Sequence, residues 1–121
     1  MAEKTIEEIM SPVQHVNSDI RVDEAIAYML SKDTEAILIK NEQGEYVGIF
    51  TKADSIKLLE KELDPTSITI SSVISSPIRC MDQTKSHDEA RRKMLENNIR
   101  HYTVTNGKNI IGLLSNKDFN F

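Results

Sequence analysis

The chain has no tryptophan and a single cysteine among its 121 residues. The first absence removes the largest aromatic side chain from any core. The second excludes an internal disulfide at Cys80 and fits a reducing compartment. No stretch approaches the roughly 18 consecutive apolar residues of a membrane span. The start, Met1-Ala2-Glu3-Lys4, has no apolar signal core. A soluble, cytoplasmic protein is expected. Long basic runs are missing too, and the formal net charge is −4, so a nucleic-acid binder is not expected.

Catalytic and metal signatures are equally scarce. His15, His87, His101 and Cys80 show no metal-ligand spacing. The chain contains neither a Gly-x-Ser-x-Gly elbow nor a phosphate loop. Asp23-Glu24 and Asp88-Glu89 read as first-turn helix acids, and Arg91-Arg92-Lys93 as a solvated helix face or a docking patch. An enzyme is therefore not expected, and no metal site is expected.

What is present is a repeat. Hydrophobic residues make up 39% of the chain, enough for one compact domain or two subdomains that share a core, whereas a half-length unit alone is marginal. A shift of 65 residues superposes Ile9, Ser11 and Pro12 on Ile74, Ser76 and Pro77, Asp23-Glu24-Ala25 on Asp88-Glu89-Ala90, and Met29-Leu30 on Met94-Leu95. With one residue deleted, Gly48, Thr51 and Asp54 meet Gly112, Ser115 and Asp118. The halves differ in charge. Residues 1–64 hold 7 basic and 14 acidic side chains, and residues 65–121 hold 8 and 5. An anionic ligand should prefer surfaces built by the second half.

Each copy reads as β-α-β-β-α. Val13–Ser18 alternates as a short extended segment. Asp23 opens a helix with Ala25, Ile26, Met29 and Leu30 on one buried stripe. Ala36–Ile39 is a buried strand, Asn41–Gly44 a turn, and Tyr46–Phe50 the returning strand. A second helix carries Ile56, Leu59 and Leu63 on one stripe and ends before Asp64-Pro65. The second copy has a helix from about His87 to Asn97 and strands Tyr102–Thr105 and Ile110–Leu114, turned by Asn106-Gly107. After Asp118 only Phe119-Asn120-Phe121 remains, so the second copy lacks most of its last helix. The expected fold is mixed α/β (α+β): a pseudo-two-fold pair, residues 1–66 and 67–121, forming one module.

The pattern resembles the CBS-domain family, named for cystathionine β-synthase, whose motifs usually occur in pairs. Ile9-Met10-Ser11-Pro12, Asp23-Glu24-Ala25 and Gly48–Asp54 carry the resemblance in the first copy. Ser75-Ser76-Pro77, Asp88-Glu89-Ala90 and Gly112–Asp118 carry it in the second. The resemblance implies a disc-like regulatory module whose clefts hold an adenosine-containing ligand: AMP, ADP, ATP or S-adenosylmethionine. It implies ligand contacts at Thr51, Asp54, Ser115 and Asp118. An ionised Asp offers two acceptors to the ribose hydroxyls, and the Thr or Ser hydroxyl sits where a strand gives way to a helix and can hold an anion. The same Thr-x-x-Asp spacing is also close to an N-terminal capping box.

Family members often carry Arg-His before a Pro in the middle strand. Arg100-His101 keeps the basic pair, with Thr103 in the place of Pro, and the first copy has Glu35-Ala36. Arg100 and His101 are therefore candidates to face a phosphate, and two unequal sites are expected. Adenine contacts through backbone groups are implied near Val13 and Val16, and near Ile78 and Cys80. The family often forms dimers through its helices, which suits Ile56, Leu59 and Leu63, and a protein effector would carry the output. The alternative is a constitutive dimerisation or interaction scaffold with vestigial clefts.

Overall fold

The computed structural model describes residues 4–74 and 78–119, which divide into two compact units, Gln14–Ile78 and the pair of segments Met1–Val13 and Arg79–Phe121. In the first-repeat unit, strand β1 (His15–Asn17) leads through helix α1 (Val22–Ser31) to β2 (Ala36–Lys40), and a hairpin returns as β3 (Tyr46–Thr51) before helix α2 (Lys52–Glu60). The sheet order is β1-β2-β3. β1 runs parallel to β2, which requires the α1 crossover. β2 pairs antiparallel with β3, Ala36 opposite Thr51 and Leu38 opposite Ile49. The turn works because Gly44 takes φ +79° and the Asn41 carboxamide oxygen accepts the N–H groups of Gln43 and Glu45 at 3.0 and 2.9 Å.

The second-repeat unit follows the same plan. β4 (Cys80–Asp82), α3 (His87–Asn97), β5 (His101–Asn106) and β6 (Asn109–Ser115) form a sheet of order β4-β5-β6. Gly107 at φ +62° turns the hairpin. Where the first repeat enters α2, the described residues of this unit form a four-residue 3-10 turn, Asn116–Phe119, which buries Phe119. Its ring lies 4.8 Å, centroid to centroid, from that of His87.

The division in space differs from the order of the repeats along the chain. Ile6, in the short 3-10 turn Ile6–Glu8, is fully buried in the second-repeat core with Met81, Ala90, Met94, Tyr102, Val104, Leu114 and Phe119. Ile70, in the matching turn Ile70–Ser72, is fully buried in the first-repeat core with Val16, Val22, Ala25, Met29, Ile37, Ile39 and Phe50. Each leading segment thus packs on the sheet of the other repeat. Backbone bonds fix both. Ile6 N–H donates to Lys85 O at 3.0 Å, and His87 N–H to Lys4 O at 2.9 Å. Ile70 N–H donates to Ile20 O at 2.8 Å, and Val22 N–H to Ile68 O at 2.9 Å. A fully buried Ile contributes about 1.5–3 kcal/mol over an exposed one, so each segment has a defined reason to stay. The shift between these segments is 64 residues (Ile6 with Ile70), whereas the helices keep 65 (Asp33 with Asn98). The motif Ser75-Ser76-Pro77 lies outside the described residues.

Two helix expectations change. Leu30 is 78% exposed, because the buried stripe of α1 is the narrower Val22, Ala25 and Met29. α2 ends at Glu60 rather than reaching Leu63, with Glu62 left-handed at φ +59° beyond it. Ile56, Leu59 and Leu63 are all exposed, while Leu58 packs against the core. No helix of the described residues is long and apolar enough to cross a membrane.

Candidate functional site

The strand-to-helix corners are the chemically distinctive positions of both units. In the first repeat β3 ends at Thr51 in extended geometry (φ −121°, ψ 166°), and the next residue opens α2. The Asp54 Oδ2 accepts from Thr51 N–H at 2.9 Å and from the Thr51 hydroxyl at 3.0 Å. Thr51 Oγ1 in turn accepts Asp54 N–H at 3.2 Å. This is a capping box, so the capping reading of Thr-x-x-Asp holds here. All of those bonds to the carboxylate fall on one oxygen, which leaves Oδ1 clear of them. Lys52 N–H donates to Glu35 O at 2.9 Å, which sets the residue before β2 beside the corner.

The second repeat builds the same corner differently. Ser115 N–H donates to Asp118 Oδ2 at 2.8 Å, and Ser115 Oγ accepts Lys117 N–H at 3.0 Å. The Ser115 hydroxyl proton, unlike that of Thr51, is not spent on the carboxylate. Asn116 N–H donates to Arg100 O at 2.9 Å, the counterpart of the Lys52–Glu35 bond. His101 stands opposite Ser115 across β5 and β6. Arg100 is exposed and His101 half-buried, and among the described residues no ion pair engages Arg100. Arg100, His101, Ser115 and Asp118 are therefore brought together in one unit, and Thr51 and Asp54, with Glu35, in the other.

The backbone candidates divide less simply. Val16 is buried in the first-repeat core, so only its main chain remains for a ligand. Val13 belongs to the second-repeat unit, two residues after Ser11, whose N–H and C=O are each bonded to Leu113 at 2.9 Å. Ile78 closes the first-repeat unit, and Cys80 opens β4. Cys80 is exposed, and its sulfur lies 2.9 Å from the Thr103 hydroxyl. Thr103 is the residue that sequence reasoning undervalued. It is fully buried, and both its N–H (2.8 Å) and its hydroxyl (3.1 Å) reach Arg79 O. A proline there would lack the N–H, so Thr103 ties β5 to the segment just before Cys80. Its signal was a polar side chain between Tyr102 and Val104. Among the described residues no group of His, Cys, Asp and Glu is arranged to hold a metal.

Comparison with known proteins agrees with this architecture. The family model of the CBS domain matches the chain twice, over residues 6–60 and 70–120. An uncharacterized protein of Methanocaldococcus jannaschii is 25% identical over 103 residues, 85% of this chain but 36% of that protein, so the chain spans about a third of that relative's length. The crystal structure of an uncharacterized conserved protein from Pyrococcus horikoshii is similar at TM-score 0.90 and 25% identity, over 98% of this chain and 91% of that one. A CBS domain protein from Pyrobaculum aerophilum, solved in complex with AMP, shares the fold at TM-score 0.85 and 20% identity, over 98% and 92% of the two chains. The CBS domain pair of protein MJ0100, solved with 5′-methylthioadenosine and S-adenosyl-L-methionine, does so at 0.84 and 23%, over 97% and 93%. With two matched copies covering most of its length and a fold to match, the chain belongs to the CBS-domain family, as a tandem pair.

Proposed function

We propose that the chain is a cytoplasmic regulatory module, not an enzyme, that binds an adenosine-containing ligand of the AMP, ADP, ATP or S-adenosylmethionine class and passes its state to a partner protein. The observation that carries this reading is the acid–hydroxyl corner kept in both repeats, Thr51 with Asp54 and Ser115 with Asp118. An ionised carboxylate with one oxygen fixed by backbone and the other clear of those bonds is preorganised to accept from a ribose hydroxyl pair. Fold relatives solved with AMP, and with 5′-methylthioadenosine and S-adenosyl-L-methionine, support that ligand class. Binding shifts a population only by the difference in affinity between two states. The exposed Ile56, Leu59 and Leu63 supply an apolar surface for a second copy or an effector, through which such a shift would be read.

A second reading, a constitutive dimerisation scaffold, draws on the closed bond set at Thr51 and Asp54, which is satisfied without any ligand. Thermal unfolding with AMP, ADP, ATP and S-adenosylmethionine separates the two. A ligand at 100 times its Kd should stabilise the protein by about 2.7 kcal/mol, and Asp54→Ala or Asp118→Ala should abolish the shift of whichever ligand its corner holds. No shift with any of the four at millimolar concentration would leave the scaffold as the better account.

A further inference from the structure

Of the eight asparagines in the chain only Asn106 precedes a glycine, and the fold leaves that pair open. Asn106 ends β5 and pairs with Asn109 as the outermost rung of the β5–β6 ladder. Asn106 and Gly107 are both exposed. Among the described residues the Gly107 N–H donates no hydrogen bond, and the Asn106 carboxamide makes none. Gly107 is left-handed at φ +62°, and nothing lies within 4 Å of where its Cβ would stand. A side-chain carbonyl and the next main-chain nitrogen can therefore meet with no Cβ in the way and no bond holding either elsewhere. Their approach needs only the outermost rung to open, and ladder ends open at the least cost. The first-repeat hairpin is the contrast. Its turn also begins with an asparagine, but the Asn41 carboxamide oxygen accepts two N–H groups and its nitrogen donates to Glu45 Oε1 at 3.3 Å. Glu42, not a glycine, follows it.

We propose that Asn106-Gly107 is a site of spontaneous modification, where water converts the asparagine to aspartate and to its β-linked isomer. The Gly107 nitrogen, its proton lost to solvent base, attacks Cγ of Asn106. The bond from Cγ to the side-chain nitrogen breaks, and that nitrogen takes up a proton and leaves as ammonia. A succinimide ring remains. Water then adds to either ring carbonyl and breaks the bond from that carbonyl to the ring nitrogen. One opening restores the main chain with an aspartate side chain. The other routes the main chain through the side-chain carbonyl. The sum consumes one water and releases one ammonia, with no oxidation or reduction. Either product sets a carboxylate on the hairpin tip in place of a neutral amide. The β-linked product also adds one carbon to the backbone, so the pairing of Asn106 with Asn109 is lost. β5 and β6 carry Tyr102, Val104 and Leu114 of the second-repeat core. The modification thus ages one repeat and spares the other.

The test is incubation of the full chain at mildly alkaline pH, in buffer and in urea, followed by trypsin digestion and mass spectrometry. The peptide His101–Lys108 holds Asn106 as its sole carboxamide side chain, so a gain of the mass difference between amide and acid identifies the residue. In the folded chain that gain should appear in this peptide before any other asparagine peptide, and faster as pH rises. It should resolve by chromatography into two products of equal mass. Asn106→Gln, whose longer side chain closes a ring far more slowly, should lose the gain while keeping the Tm of the fresh chain. A chain aged to completion should unfold at a lower Tm than Asn106→Gln aged beside it. Conversion of Asn106 in urea alone would overturn the proposal, by showing that the folded hairpin protects the pair. Earlier conversion of another asparagine in the folded chain would overturn it too. Equal Tm for the aged chain and aged Asn106→Gln would overturn the cost to the second repeat.

Discussion

The same Thr/Ser-x-x-Asp corner is followed by nine helical residues in the first repeat and by a four-residue turn in the second. In the second repeat the same acid sits in a short 3-10 turn among the described residues rather than in an α-helix. Yet Ser115 N–H still finds Asp118 at 2.8 Å, and the turn is held from below by buried Phe119. The corner is therefore a stable local structure in its own right. The helix behind the first corner brings exposed Ile56 and Leu59 to the surface, whereas the turn behind the second adds an aromatic ring to the core. The charge contrast survives the regrouping of the leading segments: Gln14–Ile78 holds 6 basic and 11 acidic side chains, and the other unit 9 and 8.

The largest expected effect probes what the two units share. Ile6 and Ile70 are both fully buried, each in the core of the other repeat. Ile6→Ala and Ile70→Ala should each cost about 2–5 kcal/mol in a urea titration, a large share of the stability of about 5–15 kcal/mol typical of a domain. Near-equal losses are expected. A loss below about 1 kcal/mol at one position only would mean that its leading segment is not integral to that core.

Much of this was readable in the residues, for physical reasons that also explain the exceptions. Short apolar runs bounded by turn residues, the Asn-Gly pair among them, place the strands, since burial of a run and positive φ at a turn are read locally. The corners are legible because their spacing is a local hydrogen-bond motif. The choice of core by Ile6 and Ile70 is not local. A three-residue turn has no period, and which sheet it covers depends on the whole chain. The boundary at residue 66 follows chain order for that reason. Leu30 departs from expectation because an i, i+3, i+4 pattern predicts a wider stripe than Val22, Ala25 and Met29 bury. The hydroxyl difference between Thr51 and Ser115 is a rotamer, and a rotamer leaves no trace in residue type.

A second contrast concerns the glycines of β3 and β6. A Cβ on Gly48 would lie 3.0 Å from Cβ and 2.7 Å from Cδ1 of Ile74, and one on Gly112 would overlap Sδ of Met10 more closely still, besides lying 2.7 Å from its Cγ and 3.1 Å from its Cβ. Isoleucine is branched at Cβ and stiff at χ1, whereas methionine bends about three bonds and can swing its Sδ aside. Gly48→Ala should therefore cost about 2 kcal/mol and Gly112→Ala about 1 kcal/mol, read as the shift in urea midpoint at constant slope. The reverse order would show that Ile74 yields more readily than Met10. Equal small costs would show that neither leading segment presses on its sheet.

The smallest effect lies at the helix ends. α1 and α3 both stop at a left-handed residue that is not glycine, Asp33 at φ +50° and Asn98 at φ +52°. The bonds around them match: Thr34 N–H reaches Met29 O at 3.1 Å, and Ile99 N–H reaches Met94 O at 3.2 Å. Only the side chain differs. Asn tolerates this conformation, whereas Asp33 also sets a negative charge at the negative end of the helix dipole. Glycine removes the Cβ conflict, against an entropy cost of about 0.5–1 kcal/mol in the unfolded chain. Asp33→Gly should thus stabilise by about 0.5–1 kcal/mol and Asn98→Gly by about 0–0.5 kcal/mol, both visible as a rise in Tm. Raising salt should shrink the Asp33→Gly gain and leave that of Asn98→Gly unchanged, because only the first contains a screened charge term.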